Sequence, residues 1–391
     1  MNTLASFTAT DTLWMLVCAC FVFFMQAGFT CYEAGLVQSK NVISVAIENI
    51  FNLTISIVLF SLVGFPMMFG ETIFSADSSA ETAFVFLQIM FAAVSVTIFA
   101  GALSERTKLA PLLVAGAVSA ALIYPLFGRL AWGSHLSGNA SWLEKLGFLD
   151  FAGASVVHMT AGFVALAGLL AVGSRSRQHT GKSNIPLAVL GVFILWFGWF
   201  GFNGGGALGA NSLAATAFIN TDLGASAAMV TWLIISWIRE KSPSFVGVLT
   251  GAVAGLATIT PGAGFVKPWA AIIIGVLAGI ICYAAVQFRK KLDWDDALDV
   301  WGVHDVGGII GTILLGVFAS KDVNGISGLI EGDVHQFGIQ IFGTLLASAY
   351  AFVITMLILK VVNKFLPVRV TPEEERIGLD ASLHHEEAYH L

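Results

Sequence analysis

Two histidines sit inside otherwise apolar stretches, and they are the side chains best placed to do chemistry. His158 lies in Val156-Val157-His158-Met159-Thr160 and His304 in Gly302-Val303-His304-Asp305. Ionisable groups within apolar helices are expensive to hold and usually serve function. A neutral imidazole has one donor and one acceptor nitrogen. Two facing rings can therefore share a proton and offer hydrogen bonds to a small polar solute on an otherwise apolar path. One histidine alone would be read as a packed structural residue. Here Asp150-Phe-Ala-Gly-Ala-Ser-Val-Val-His158 opens the fifth apolar segment, and Asp299-Val-Trp-Gly-Val-His304 opens the tenth. That echo, five segments apart, fits an inverted repeat with its site at the repeat interface, and it makes the histidines a pore-lining pair. A metal would need a further ligand, and only Asp305 adjoins either histidine, so no metal site is expected. No nucleophile–base constellation is present either, so the chain reads as neither an enzyme nor a cofactor carrier.

Other polar groups have narrower readings. Asp150, at the start of a helix, can cap orphan amides and can also shape the field at a cation entrance. Glu48, Asn49 and Asn52 form one polar patch, and Gln26 and Glu33 another; Glu48 must be paired or protonated. The run Trp196-Phe-Gly-Trp-Phe-Gly-Phe-Asn-Gly-Gly-Gly206 puts aromatics beside thinly covered backbone, which suits a constriction or a close helix crossing. Cys18, Cys20, Cys31 and Cys282 all lie in apolar runs, with neither metal-binding nor secreted-disulfide spacing.

The elements that position these groups follow from composition. Of 391 residues 57% are apolar and 11% charged, against about 25% charged in soluble domains. With a mean hydropathy of +0.84, there is too little polar surface to coat a water-soluble body, and lipid must cover much of it. Spans of about 20 apolar residues are expected at 11–32, 41–69, 83–103, 109–130, 151–173, 186–204, 214–238, 245–260, 268–288, 301–319 and 334–363. Unbroken apolar runs exclude a β-barrel, whose strands alternate. With the N-terminus outside, 15 of the 19 Lys and Arg fall on the inner side, among them Arg175, Arg177 and Arg289. That bias predicts a multi-pass protein of the cytoplasmic (inner) membrane with its C-terminus inside. The first basic residue, Lys40, follows the first apolar segment, so no secretory signal is expected. The net charge of −6 includes no basic run that would suit nucleic acid. Gly247, Gly251 and Gly255, Gly275 and Gly279, and Gly307 and Gly311 repeat at every fourth residue, the spacing of closely packed membrane helices.

At these residues the chain resembles the ammonium transporter family (Amt/Mep/Rh). The likeness runs from Asp11 to about Tyr389. It rests on Asp150-Phe-Ala-Gly-x-x-Val-Val-His158, Trp199-Phe-Gly-Phe-Asn203, Gly101-Ala-Leu-x-Glu-Arg106, Gly302-Val-His304 and the tail Gly378-Leu-Asp380 with Glu386, Glu387 and Tyr389. It implies an all-α membrane fold of two inverted five-helix repeats plus an eleventh helix. Residues 1–366 would form the membrane domain and 367–391 a cytoplasmic tail, in a homotrimer with one pore per subunit. It further implies that Trp132 and Phe91, with Asp150 behind them, form an outer ammonium-recruitment site. Phe91 and Phe202 would form a paired phenyl gate, and His158 and His304 the twin pore histidines. Ammonium would lose its proton near the gate and pass as ammonia.

Two departures bear on function. The family's outer-site serine is matched by Gly206, which removes a hydroxyl and implies weaker ammonium capture, and a serine there is expected to tighten it. The Met25-Gln-Ala-Gly-Phe-x-Cys31 run is similar to a branch of the family found fused to signalling domains. An ammonium sensor that reports through its C-terminal segment is therefore the alternative to a transporter. The loop 133–149 is longer than in typical transporters. The tail is expected to dock on the cytoplasmic face, couple subunits and, in some members, meet a PII signal protein; His384, His385 and His390 are a weaker suggestion of metal binding there.

Overall fold

Among the described residues, eleven helices are long and apolar enough to span a bilayer: α1 (Ala9–Leu36), α2 (Ser39–Phe69), α3 (Ser79–Leu103), α4 (Leu109–Trp132), α5 (Ala154–Val172), α6 (Ile185–Gly205), α7 (Ser212–Glu240), α8 (Phe245–Gly262), α9 (Pro268–Lys291), α10 (Trp301–Phe318) and α11 (Val334–Phe365). The computed structural model describes residues 6–176, 181–292 and 294–389. Arg177 and His390 lie outside these. All eleven expected spans are present, with ends moved by a few residues.

Local chemistry fixes several ends. Thr8 accepts from Asp11 N at 3.2 Å while the Asp11 carboxylate accepts from Thr8 N at 3.0 Å, a reciprocal cap that starts α1. Ser78 and Glu81 do the same for α3. Pro66 and Pro125 fall inside α2 and α4. A proline lacks the amide proton and crowds the carbonyl four residues back. Each is preceded by a π-helical turn, Phe60–Gly64 and Ser119–Ile123, in which the ladder widens by one residue. Those two turns pack on each other: a Cβ at Gly64 would lie 2.4 Å from the Ala120 carbonyl oxygen.

Close backbone approach holds the bundle together. α1 and α6 cross most intimately, and a Cβ at Gly191 would sit 2.3 Å from Tyr32 N. The expected glycine stripes pack helices as their spacing implied. A Cβ at Gly255 or Gly275 would reach the Gly224 carbonyl at 2.6 and 2.3 Å, which clamps α8 and α9 onto α7. α3 is buried along nearly its whole length and forms the axis of the fold.

α5 and α10 each begin with a π-helical turn, Ala154–Met159 and Trp301–Asp305. Thr160 N donates to the Ser155 carbonyl and Val306 N to the Trp301 carbonyl, both five residues back. Each turn carries one of the two histidines, so the echo seen in the sequence is also an echo of backbone geometry.

Candidate functional site

The two π-turns bring His158 and His304 together, with their Nδ1 atoms 3.3 Å apart. The rings lie 5.3 Å apart between centroids, inclined by 26°. Both are buried, 0% and 5% exposed. A hydrogen bond between two Nδ1 atoms needs opposite tautomers. One ring then keeps Nε2 as an acceptor and the other keeps Nε2–H as a donor. Trp199 supports both rings, stacked 5.1 Å from His158 and 6.5 Å from His304. Its own Nε1 donates to Thr260 Oγ1 at 2.9 Å, which fixes the indole plane.

Aromatic rings continue the line. Phe202 lies 5.5 Å from His158. Phe91, from the axial helix α3, lies 4.5 Å from Phe202, and Trp132 lies 6.1 Å from Phe91. Phe91 and Phe202 are 2% and 0% exposed, so both rings are buried between Trp132 and the histidines. Six residues named from the sequence, Trp132, Asp150, Phe91, Phe202, His158 and His304, thus gather along one buried track. Gly206 borders the cavity at its mouth.

Asp150 owes its place to Gly153, whose φ of +106° folds the chain back over the carboxylate. Asp150 Oδ1 accepts from the backbone N of Gly153 and of Ala154, each at 2.9 Å. Oδ2 accepts from Ser155 N at 2.8 Å, Ser155 Oγ at 2.5 Å and Val156 N at 3.1 Å. The carboxylate is committed to the start of α5. Burial pushes it upward from the ordinary aspartate range, against the pull of those five bonds. Its backbone carbonyl accepts from Trp132 Nε1 at 2.7 Å and so orients the indole.

The counterpart of Asp150 in the second repeat is Asp296, not Asp299. Asp296 Oδ2 accepts from Trp301 N at 2.7 Å and begins α10. It stands eight residues before His304, as Asp150 stands eight before His158. Asp299 instead adopts φ +59° and pairs with Arg289.

A cavity of about 810 Å³ opens beyond Trp132, bordered by Asp11, Trp132, His135, Glu144, Asp150 and Gly206 among others. No Lys or Arg is among its described lining residues. A Cβ at Gly206 would lie 2.5 Å from the Phe151 carbonyl oxygen and 3.1 Å from the Phe151 ring. The glycine is therefore required by the approach of Phe151, and a serine hydroxyl does not fit without moving backbone. That corrects the expectation that serine would simply add a ligand.

At the opposite end, charged groups are paired. Arg175 bridges Glu105 and Asp295, meeting Asp295 at 2.6 Å. Burial opposes charge on Asp295, but Arg175 and Arg106 overcome it and hold the carboxyl below its usual range. Burial lowers the Arg106 guanidinium to about 10. Glu48, left without a partner by the sequence, accepts from Ser44 Oγ at 3.2 Å. Glu33 accepts from Asn49 Nδ2 at 2.9 Å. Residues 367–389 fold against this face. Val370 N donates to the Arg106 carbonyl at 3.0 Å, and Asp380 accepts from Ile43 N at 3.0 Å and Ser44 N at 2.8 Å, capping α2.

Eleven spans around a narrow, ring-lined track that ends in paired imidazoles define a polytopic membrane protein of the small-solute transport class. A family model described as the Ammonium Transporter Family matches residues 13–389, and the chain belongs to that family. It is 38% identical to "Ammonium transporter Amt1" of Archaeoglobus fulgidus over 97% of this chain and 99% of that one. It is 37% identical to "Ammonium transporter" of Bacillus subtilis over 97% and 98%. Among solved structures it is similar to "Sensor Amt Protein", with a TM-score of 0.90 and 37% identity over 96% and 98% of the two chains. It is also similar to Mep2 of Candida albicans, with a TM-score of 0.85 and 28% identity over 96% and 89%.

Sequence reasoning missed His135 and Asp296. Asp296 was findable, because its offset from His304 repeats the Asp150–His158 offset. The signal for His135 was only a histidine three residues after Trp132.

Proposed function

We propose that this chain carries ammonium as ammonia across the cytoplasmic membrane, entering from the Trp132 face, which we take as the outside, with the tail 367–391 inside. On this reading residues 1–366 are the membrane domain and three copies assemble, one pore each. The observation that carries the reading is the pair of facing imidazoles directly behind two closed phenyl rings. Ammonium meets the faces of Trp132 and Phe91, which attract it by ~0.5–2 kcal/mol. Taking a bare monovalent ion into an apolar interior costs on the order of 20 kcal/mol in the idealised limit. Deprotonation near the phenyl pair removes that term, and the released proton crosses along the His158–His304 pair, a relay that makes the flux electrogenic. Ammonia then meets one Nε2 donor and one Nε2 acceptor, matching its lone pair and its N–H groups. Potassium has no proton to shed and is rejected.

The test is solid-supported-membrane current from purified protein with ammonium, methylammonium and potassium. Ammonium current that is lost in a His158→Leu, His304→Leu double variant that still folds is the expected result. Undiminished current in that variant would sink the relay. A second reading, an ammonium sensor, draws on the likeness to "Sensor Amt Protein" and on the tail cap at Asp380. Saturable ammonium binding with no current from the wild type would favour it.

A further inference from the structure

His135 stands on the short helix Ser134–Ser137 that follows α4. Its ring centroid lies 5.9 Å from that of Trp132, inclined by 37°. It lies 6.2 Å from Phe84 of α3, edge to face. The imidazole borders the same cavity as Trp132, Asp150 and Gly206, and its Nδ1 is buried without a hydrogen-bond partner among the described residues. The acids at this cavity are otherwise engaged. Asp150 is taken up by the start of α5, Asp11 by Thr8, and Glu144 by Ser134 and Ser141. Gly206 offers no hydroxyl. Trp132 and Phe91 present π faces, which attract a cation but do not accept its N–H hydrogens with the direction of a lone pair. A recruitment site for ammonium so far lacks a free, directional acceptor.

We propose that His135 is that acceptor, a specificity residue of the outer site that takes a hydrogen bond from ammonium held against Trp132 and so distinguishes it from an alkali cation of similar size. This deepens the proposed transport reading and rests on it. Burial keeps the imidazole below its ordinary value, against the opposing charge of Glu144. The ring is therefore neutral near pH 7 and has a lone pair to give. The ionisable groups around it are Glu144 on the next short helix and, across the cavity, Asp150 and Asp11; the α3 and α4 neighbours Phe84 and Trp132 do not titrate in this range.

The experiment measures half-saturation of the ammonium current in wild type, H135A, H135Q and W132A between pH 5 and pH 8, where ammonium stays protonated. Loss of the acceptor in H135A is expected to raise half-saturation about tenfold or more, about 1.4 kcal/mol. H135Q, which keeps a carbonyl acceptor, is expected to recover much of that loss. In wild type, half-saturation is expected to rise as pH falls below the ordinary histidine range, because the imidazolium repels ammonium and has no lone pair. H135Q is expected to show a flat profile. Equal half-saturation in wild type and H135A at every pH, with W132A weakened, would overturn the role of His135 alone. No effect from W132A either would overturn the outer site itself, and no wild-type current would overturn the transport reading beneath both.

Discussion

Asp150 divides two kinds of explanation, because a carboxylate at a cation entrance can act on the cation or on the backbone. The geometry assigns it to the backbone. Its two oxygens take five donors: four main-chain N–H groups and the Ser155 hydroxyl. In Asp150→Asn, one oxygen can keep the Gly153 and Ala154 amides, but the new NH₂ faces the Ser155 and Val156 amides, donor against donor. At ~1–3 kcal/mol for each of the two buried amides left unsatisfied, the change should cost roughly 2–6 kcal/mol. Asp150→Ala strips all five and should cost more. Trp132 donates to the Asp150 main-chain carbonyl, which both variants keep, so loss of the cap reaches the indole only through a shift of that backbone, and ammonium capture is expected to weaken along with stability. The assay pairs thermal unfolding in detergent at one fixed scan rate with half-saturation of ammonium current. The expected order of unfolding temperature is wild type, then Asn, then Ala, with half-saturation following it. An Asn variant that melts like wild type but captures ammonium tenfold more weakly would refute the reasoning and make Asp150 a direct ligand.

Gly206→Ser should lower unfolding temperature without tightening ammonium capture, because its Cβ lands 2.5 Å from the Phe151 carbonyl; tighter half-saturation at unchanged stability would contradict this. Asp380→Asn should loosen the tail by ~1–2 kcal/mol, the scale of a lost helix cap, since the carboxylate receives two α2 amides. Limited trypsin digestion should then cut at Arg369 and Arg376 sooner than in wild type, and an unchanged digestion course would show that the cap does not hold the tail.

Much of this was legible in the sequence, for identifiable reasons. Spans are read from apolar length because a bilayer demands about 20 such residues and satisfies no backbone. The histidine pair was legible because few ionisable groups lie within the spans and these two repeat in matching surroundings. What escaped was register and long-range contact. Hydropathy is blind to a one-residue widening of the helix ladder, so the π-turns that aim His158 and His304 left no trace in it. Asp295, Asp296 and Asp299 crowd one polar loop. Nearness to His304 pointed to Asp299, whereas the eight-residue offset shared with Asp150 points to Asp296. The meaning of Gly206 depends on Phe151, far away in sequence, and looks like a missing ligand until that carbonyl is seen above it.

The two repeats use one device in two electrostatic settings, and the difference gives the track a direction. Asp150 and Asp296 each open a π-turn eight residues before one of the paired histidines. Around Asp150, the described lining of the cavity includes Asp11 and Glu144 but no Lys or Arg. Around Asp296, Arg289 works against the upward push of burial, and the neighbouring acids Asp299, Asp295 and Glu105 are each paired with an arginine. The described cavity lining at the Trp132 end thus carries acids and no Lys or Arg, which favours a cation there, while Asp295, Asp299 and Glu105 at the tail end are each offset by an arginine. On the proposed reading, ammonia past the phenyl pair carries no charge and is indifferent to that gradient. On the same reading the asymmetry acts on recruitment of ammonium and leaves the passage of ammonia alone.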